Sequence, residues 1–216
     1  MIRVENVEVW GFDHAIRGMR NPMNSWDKSD SVFLTVDRDE DTIAVQIAEI
    51  GKNDLSLMQR LYEAGTEHRK YLRQIFVSMD ITAPLYWWKE FDTYKVGTVS
   101  NSCSTMHKIA AKEFIPIDFS CEHLEEYWFG CLYDVIHQLN IARKYYLDTK
   151  DKKYWWQLIQ LLPSSYNQKR TITMNYENVV SMIKQRENHK LDEWRDFVGE
   201  LKELPYIKEI MYGTKN

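Results

Sequence analysis

The stretch Arg73-Gln74-Ile75-Phe76-Val77-Ser78-Met79-Asp80-Ile81-Thr82-Ala83-Pro84 holds two structural signals in succession. Ile75, Val77, Met79 and Ile81 recur at every second position, the period of a strand with one buried face. Thr82 and Pro84 then supply a helix start with proline in the first turn, and the predicted helix ends near Phe91. Working outward, Asp92 to His107 has no hydrophobic period and is rich in Thr, Ser, Asn, Lys and Tyr, which predicts a long polar loop of the kind that carries function. Beyond it Leu124, Trp128, Cys131, Val135, Leu139, Ala142 and Tyr146 step by three and four, marking the buried face of a helix about six turns long.

Further along, a helix is predicted from Lys152 to Leu162, stopped by Pro163. Lys169 to Met174 reads as a short strand, and Asn175 as the N-cap of a helix through Val179, Val180, Met182 and Ile183 to about Glu187. Leu191, Trp194, Phe197, Val198 and Leu201 define another helix that ends before Pro205. Towards the N-terminus, Ser31 to Val36 and Thr42 to Ile50 are predicted to pair as a hairpin across the charged turn 37–41, with Ile43, Val45 and Ile47 alternating. Asp54 precedes an amphipathic helix that carries Leu57, Met58, Leu61 and Tyr62 and ends near Gly65. Asp13 to Trp26 is too polar for core and too irregular for a strand, so a loop is expected. No repeat or linker interrupts the chain, which predicts one α+β domain over residues 1–216.

Composition bounds the function. The 216 residues are 44% hydrophobic and 13% aromatic, with only 8 Gly and 5 Pro, which excludes collagen-like and disordered classes. Against 28 basic stand 32 acidic residues, a net charge of −4, so neither a nucleic acid polymer nor an anionic membrane is an expected partner, and any phosphate site must be local. Cys103, Cys121 and Cys131 lack zinc-site spacing and the density of a disulfide scaffold, which predicts reduced thiols and a cytoplasmic location. No apolar run approaches a membrane span. The six His residues show no ligand spacing, so no metal site is expected. Glu122, Glu125 and Glu126 suit the dipole at a helix N-terminus, and Trp87-Trp88 with Trp155-Trp156 read as core or subunit interface.

The order of a strand, Ala83-Pro84, a short helix and a polar loop, then Leu162-Pro163, a strand, Asn175 and a helix bearing Arg186, resembles the flavin-dependent thymidylate synthase family. Counted from Ala83-Pro84, that family's Arg-His-Arg signature falls on Thr93-Tyr94-Lys95, and its Ser-x-Arg-Tyr on Cys103-Ser104-Thr105-Met106. The resemblance implies a mostly antiparallel sheet packed with long helices, a homotetramer with shared active sites, FAD, and reductive methylation of dUMP or a related pyrimidine nucleotide with methylenetetrahydrofolate and NADPH. It also implies residue roles. Arg186 would stabilise negative charge on the pyrimidine ring. Tyr94, Lys95, Asn101 and Asn175 would contact the flavin, with Tyr94 stacking on a planar ring. Ser102, Cys103 and Ser104 would bind the nucleotide. Thr93, Thr105 and Ile159 stand where the family has an arginine or another basic residue, so phosphate ligands are lost, and Arg17 and Arg20 are candidates to replace them. On that reading, alanine at either weakens nucleotide binding without changing the melting temperature. The rival expectation is a nucleotide-binding homologue without catalysis, with a regulatory or sequestering role.

Overall fold

In the computed structural model, which describes residues 1–36 and 45–213, the strand at 75–81 forms as β4, Phe76–Pro84. It is flanked by β1 (Arg3–Trp10) and β6 (Asn167–Asn175), and β5 (Thr98–Ser102) closes the far edge, giving an antiparallel sheet ordered β1-β4-β6-β5. Val77, Met79, Ile81 and Ala83 of β4, with Ile172 and Met174 of β6, are the buried face. Each fully buried Val, Ile or Met there contributes about 1.5–3 kcal/mol. Pro84 belongs to the strand and caps α3 (Leu85–Phe91) rather than sitting inside its first turn.

Against that face pack α1 (Phe12–Arg20), α2 (Lys52–Glu63), α3, α7 (Tyr176–Arg186), α8 (Asp192–Lys202) and α9 (Ile207–Tyr212). Trp87, Trp88, Phe91, Trp194 and Phe197 form one continuous aromatic cluster, with Trp87 4.8 Å from Trp194 and 5.3 Å from Phe197. Five of the eleven buried aromatic side chains among the described residues lie there. A second core joins Phe114 and Phe119 to α5 (Glu126–Thr149) and α6 (Lys152–Leu161), through Leu132, Ile136, Leu139 and Leu158. β2 (Val32–Val36) and β3 (Val45–Glu49) make the expected hairpin, while Ile43 and the charged turn lie outside the described residues.

The structure corrects several expectations. Residues 12–20 are helical, because Phe12, Ala15, Ile16 and Met19 make one apolar stripe that was masked by the polar residues between them. Within the expected polar loop, Thr98–Ser102 is an edge strand, followed by the short α4 (Thr105–Lys108). Its side chains are largely exposed and show no period, and pairing with β6 supplies the order instead. Asp54 lies inside the first turn of α2 and is fully buried, while Gly51 holds the N-cap position. On α5, Leu139 and Ala142 are buried but Trp128 is 58% exposed and Cys131 is also exposed, because only part of that helix lies against the second core.

Candidate functional site

β6 runs directly into α7 at Asn175, whose extended backbone lets its own Oδ1 accept from the Asn178 N–H at 3.1 Å. Asn175 is therefore the N-cap read from the sequence. Replacing it with Ala is expected to cost about 1 kcal/mol in urea unfolding, with Asp or Ser restoring most of the loss. A loss equal in Asp, Ser and Ala variants would show that the cap is not what the amide does.

Eleven residues later α7 ends at Arg186, where a cation suits the helix C-terminus. Its Nε donates to Tyr94 Oη at 2.9 Å and its Nη1 to Glu90 Oε2 at 3.0 Å. The guanidinium lies 4.7 Å from the centre of the Trp194 ring and 5.6 Å from that of Tyr94. Glu90 Oε2 also accepts from Trp194 Nε1 at 3.0 Å and lies 3.2 Å from His189 Nε2. One carboxylate oxygen thus gathers Arg186, Trp194 and His189. The surface ion pair with Glu187 or Asp192 that a bland reading of Arg186 suggests does not form; its partner is Glu90, ninety-six residues away. Nη2 makes no hydrogen bond among the described residues and is the part of the fork left for a ligand.

Tyr94 is half-buried. Its hydroxyl donates to Gln185 Oε1 at 2.9 Å while accepting from Arg186, and its ring packs near Phe91 and Trp194, at 6.3 and 5.9 Å. Through its hydroxyl Tyr94 orients Arg186. Next to it, Lys95 is exposed and without a partner among the described residues. The chain then turns at Gly97, with φ at +75°, where a Cβ would meet Asn175 Nδ2 at 2.7 Å. Asn178 Nδ2 fastens this turn by donating to Val96 O at 2.8 Å and Thr98 Oγ1 at 2.9 Å. Asn101 and Ser102 follow, both exposed, on β5 opposite Thr171 and Arg170.

Cys103 and Ser104 come together elsewhere, at a cavity of about 460 Å³ between the start of β1, the α4 segment and the start of β6. Cys103 is tied by its backbone: its N–H donates to Lys169 O, and its carbonyl accepts from Gln168 Nε2, both at 2.9 Å. Ser104 Oγ caps α4, accepting from the His107 N–H at 3.0 Å. Ile109, Ile117 and Tyr166 give the cavity apolar walls, and burial raises the Tyr166 phenol. Arg3, Lys108, Lys112 and Lys169 also line it, with Asp118 as the acid among the lining residues. Lys169 pairs at 2.9 Å with Asp80, whose carboxyl is pushed down to about 2 by hydrogen bonds from the Thr171 hydroxyl, from Lys169 and from Asn6.

Arg20 belongs to neither place. It is 4% exposed, and its Nε donates to Asp54 Oδ1 at 2.6 Å while Nη1 and Nη2 donate to the carbonyls of Ser25 and Lys28. All three nitrogens are used to hold the chain between α1 and β2, so the nucleotide role expected for Arg20 is replaced by a structural one. Arg17, one turn earlier, faces solvent near His14 Nδ1 at 3.1 Å.

Sequence reasoning missed Glu90, Gln185 and Trp194 as the setting of Arg186, and the basic residues around the cavity. Glu90 had a weak signal, being four residues before Tyr94 in the dense segment. Arg3 and Lys169 had none. Sheet register alone brings them together, since Thr82 pairs with Arg3 on one side and Lys169 on the other.

The α+β architecture with its antiparallel sheet β1-β4-β6-β5 matches the fold of the flavin-dependent thymidylate synthases. Two solved structures of thymidylate synthase X from Helicobacter pylori, each with FAD and dUMP, align with 92% of this chain and 91% of theirs. Their TM-scores are 0.68 and 0.65, at 16% and 15% sequence identity, so the likeness is one of fold. No protein-family model matches the sequence, and no curated protein does.

Proposed function

We propose that this protein is a flavin-dependent thymidylate synthase-like enzyme that methylates a pyrimidine nucleotide, dUMP or a relative, at C5. The observation that carries the reading is Arg186, held at the end of α7 by Glu90 and Tyr94 in a fold shared with structures that contain FAD and dUMP. A guanidinium fixed on two nitrogens, with the third open, is preorganised to stabilise charge that develops on a pyrimidine ring. FAD, when bound, supplies hydride transfer from NADPH, and methylenetetrahydrofolate the carbon. The chain offers FAD a partial fit: Lys95, exposed and unpartnered among the described residues, suits a phosphate, and exposed Asn101 offers its amide, while the half-buried Tyr94 has its hydroxyl engaged by Gln185 and Arg186. The homotetramer belongs to the same proposal. Tyr127, Trp128, Tyr133 and Tyr145 leave a large exposed aromatic surface on α5, the kind of patch that marks subunit contact.

The test is whether the purified protein is yellow or gains a flavin absorption band when FAD is added, and then converts dUMP to dTMP. Protein that stays colourless overturns the enzyme reading. One observation favours a second reading, a nucleotide-binding homologue without catalysis: Glu90 already neutralises Arg186, and Thr93, Thr105 and Ile159 carry no charge. Tight dUMP binding by protein that cannot be loaded with FAD selects it.

A further inference from the structure

We infer that a second cavity, between the end of α1 and the first turns of α2, binds a small polar phosphate ester of the sugar-phosphate class. It shares no lining residue with the Arg186 site or with the cavity at Cys103, and it stands apart from the enzyme reading.

This cavity, of about 380 Å³, is lined by Arg20, Lys28, Asn53, Ser56, Leu57 and Arg60. The last four are spaced along α2 so that they share one of its faces. The opposite wall is drawn in by Arg20, whose Nη1 and Nη2 donate to the carbonyls of Ser25 at 3.1 Å and Lys28 at 3.0 Å and so hold the short turn Trp26–Lys28. Asp30 ties the same segment to α2, its carboxylate accepting from the Asn53 and Asp54 N–H groups at 2.9 and 3.1 Å. The two walls are thus set in place before any ligand arrives.

On a chain of net charge −4, this lining holds three cations and no carboxylate. Arg20 is neutralised by Asp54, with Nε to Oδ1 at 2.6 Å. Lys28 and Arg60 have no ion pair among the described residues. Arg60 Nε donates to the Ser56 carbonyl at 3.4 Å, which leaves both Nη groups to donate. Two uncompensated charges therefore face one space. A phosphate monoester near neutral pH carries about −1.5 to −2 charges and three acceptor oxygens, whereas a single carboxylate would leave one cation unmatched. The fork of Arg60 suits two of those oxygens, and Lys28 serves the third as a point charge. Ser56 and Asn53 add a hydroxyl and an amide, and Leu57 is the one apolar side chain in the lining, so the body attached to the phosphate is itself polar. The volume is at the small end for small-molecule pockets, the size of a phosphorylated sugar.

Calorimetric titration with inorganic phosphate, ribose 5-phosphate and ribose, on wild type, Lys28→Gln, Arg60→Gln and Arg17→Ala, tests the assignment. All three residues are exposed, so each variant should keep the wild-type melting temperature. Expected is binding of both phosphates and none of ribose. Lys28→Gln and Arg60→Gln should each weaken it about tenfold or more, and Arg17→Ala, which removes a cation outside the cavity, should leave it unchanged. Binding that neither cavity variant weakens, or that Arg17→Ala weakens equally, overturns the pocket. Inorganic phosphate bound through Lys28 and Arg60 with ribose 5-phosphate rejected overturns the ester. Wild type that binds neither phosphate overturns the whole inference. The Arg186 reading is untouched by any of these results, since it is decided by flavin loading and dUMP turnover.

Discussion

Replacing Arg20 with Ala is expected to lower unfolding stability by about 3–5 kcal/mol, the cost of breaking a buried ion pair from one side. Asp54, 0% exposed, would keep a carboxylate that accepts from Ser29 Oγ and Ser31 Oγ at 2.7 Å each but has lost its countercharge. In a chain of this size that is a fall in melting temperature of roughly 6–20 °C. Arg17→Ala, at an exposed position on the same helix, should leave the melting temperature within about one degree. Burial pushes the Asp54 carboxyl up, but hydrogen bonds from Ser29 and Ser31 and the Arg20 guanidinium outweigh it, and the net direction is down. Its folded pKa thus lies below the unfolded value, so the pair's contribution is complete at neutral pH and fades as pH drops through the carboxylate range. Arg20→Ala protein that melts like wild type yet binds nucleotide more weakly would return Arg20 to the ligand set.

The second large effect concerns Arg186. On FAD-loaded protein, Arg186→Ala is expected to reduce turnover by about 10²–10³-fold, the usual loss when one preorganised donor to a developing charge is removed. Lysine should rescue little. An ammonium cannot donate to Tyr94 and Glu90 along two edges of one plane while lying flat over Trp194. Glu90→Gln keeps the shape and frees the charge of Arg186, so Glu90 acts as a positioning residue. Its loss should appear mainly in kcat with KM little changed. Full activity of Arg186→Lys would show that a fixed fork is not required, and with it the role given to Glu90 falls.

Both predictions depend on residues whose partners are far along the chain, and this separates what was legible from what was not. Alternation at Ile75, Val77, Met79 and Ile81 revealed the central strand because a strand's faces are set by its own period. Asn175 as N-cap and the apolar stripe through Trp194 and Phe197 were equally local, and the structure bears them out. The stripe of α1 was also present in the sequence, at Phe12, Ala15, Ile16 and Met19, but Asp13, His14 and Arg17 between them disguised it. The edge strand at 98–102 had no such trace, since pairing with β6 rather than side-chain burial creates it.

The sequence by itself determined which segments are amphipathic, where most of them start and stop, and that the chain folds as α+β around an aromatic-rich core. Only the tertiary structure decided what the charged residues do. Arg20 turned inward to Asp54, Arg186 met Glu90, and β1 and β6 brought Arg3 and Lys169 to one cavity across β4. Periodicity encodes the face a residue shows, because it depends on neighbours three or four positions away. The partner it meets depends on sheet register and helix packing, which join residues tens of positions apart and leave no mark on the spacing between them.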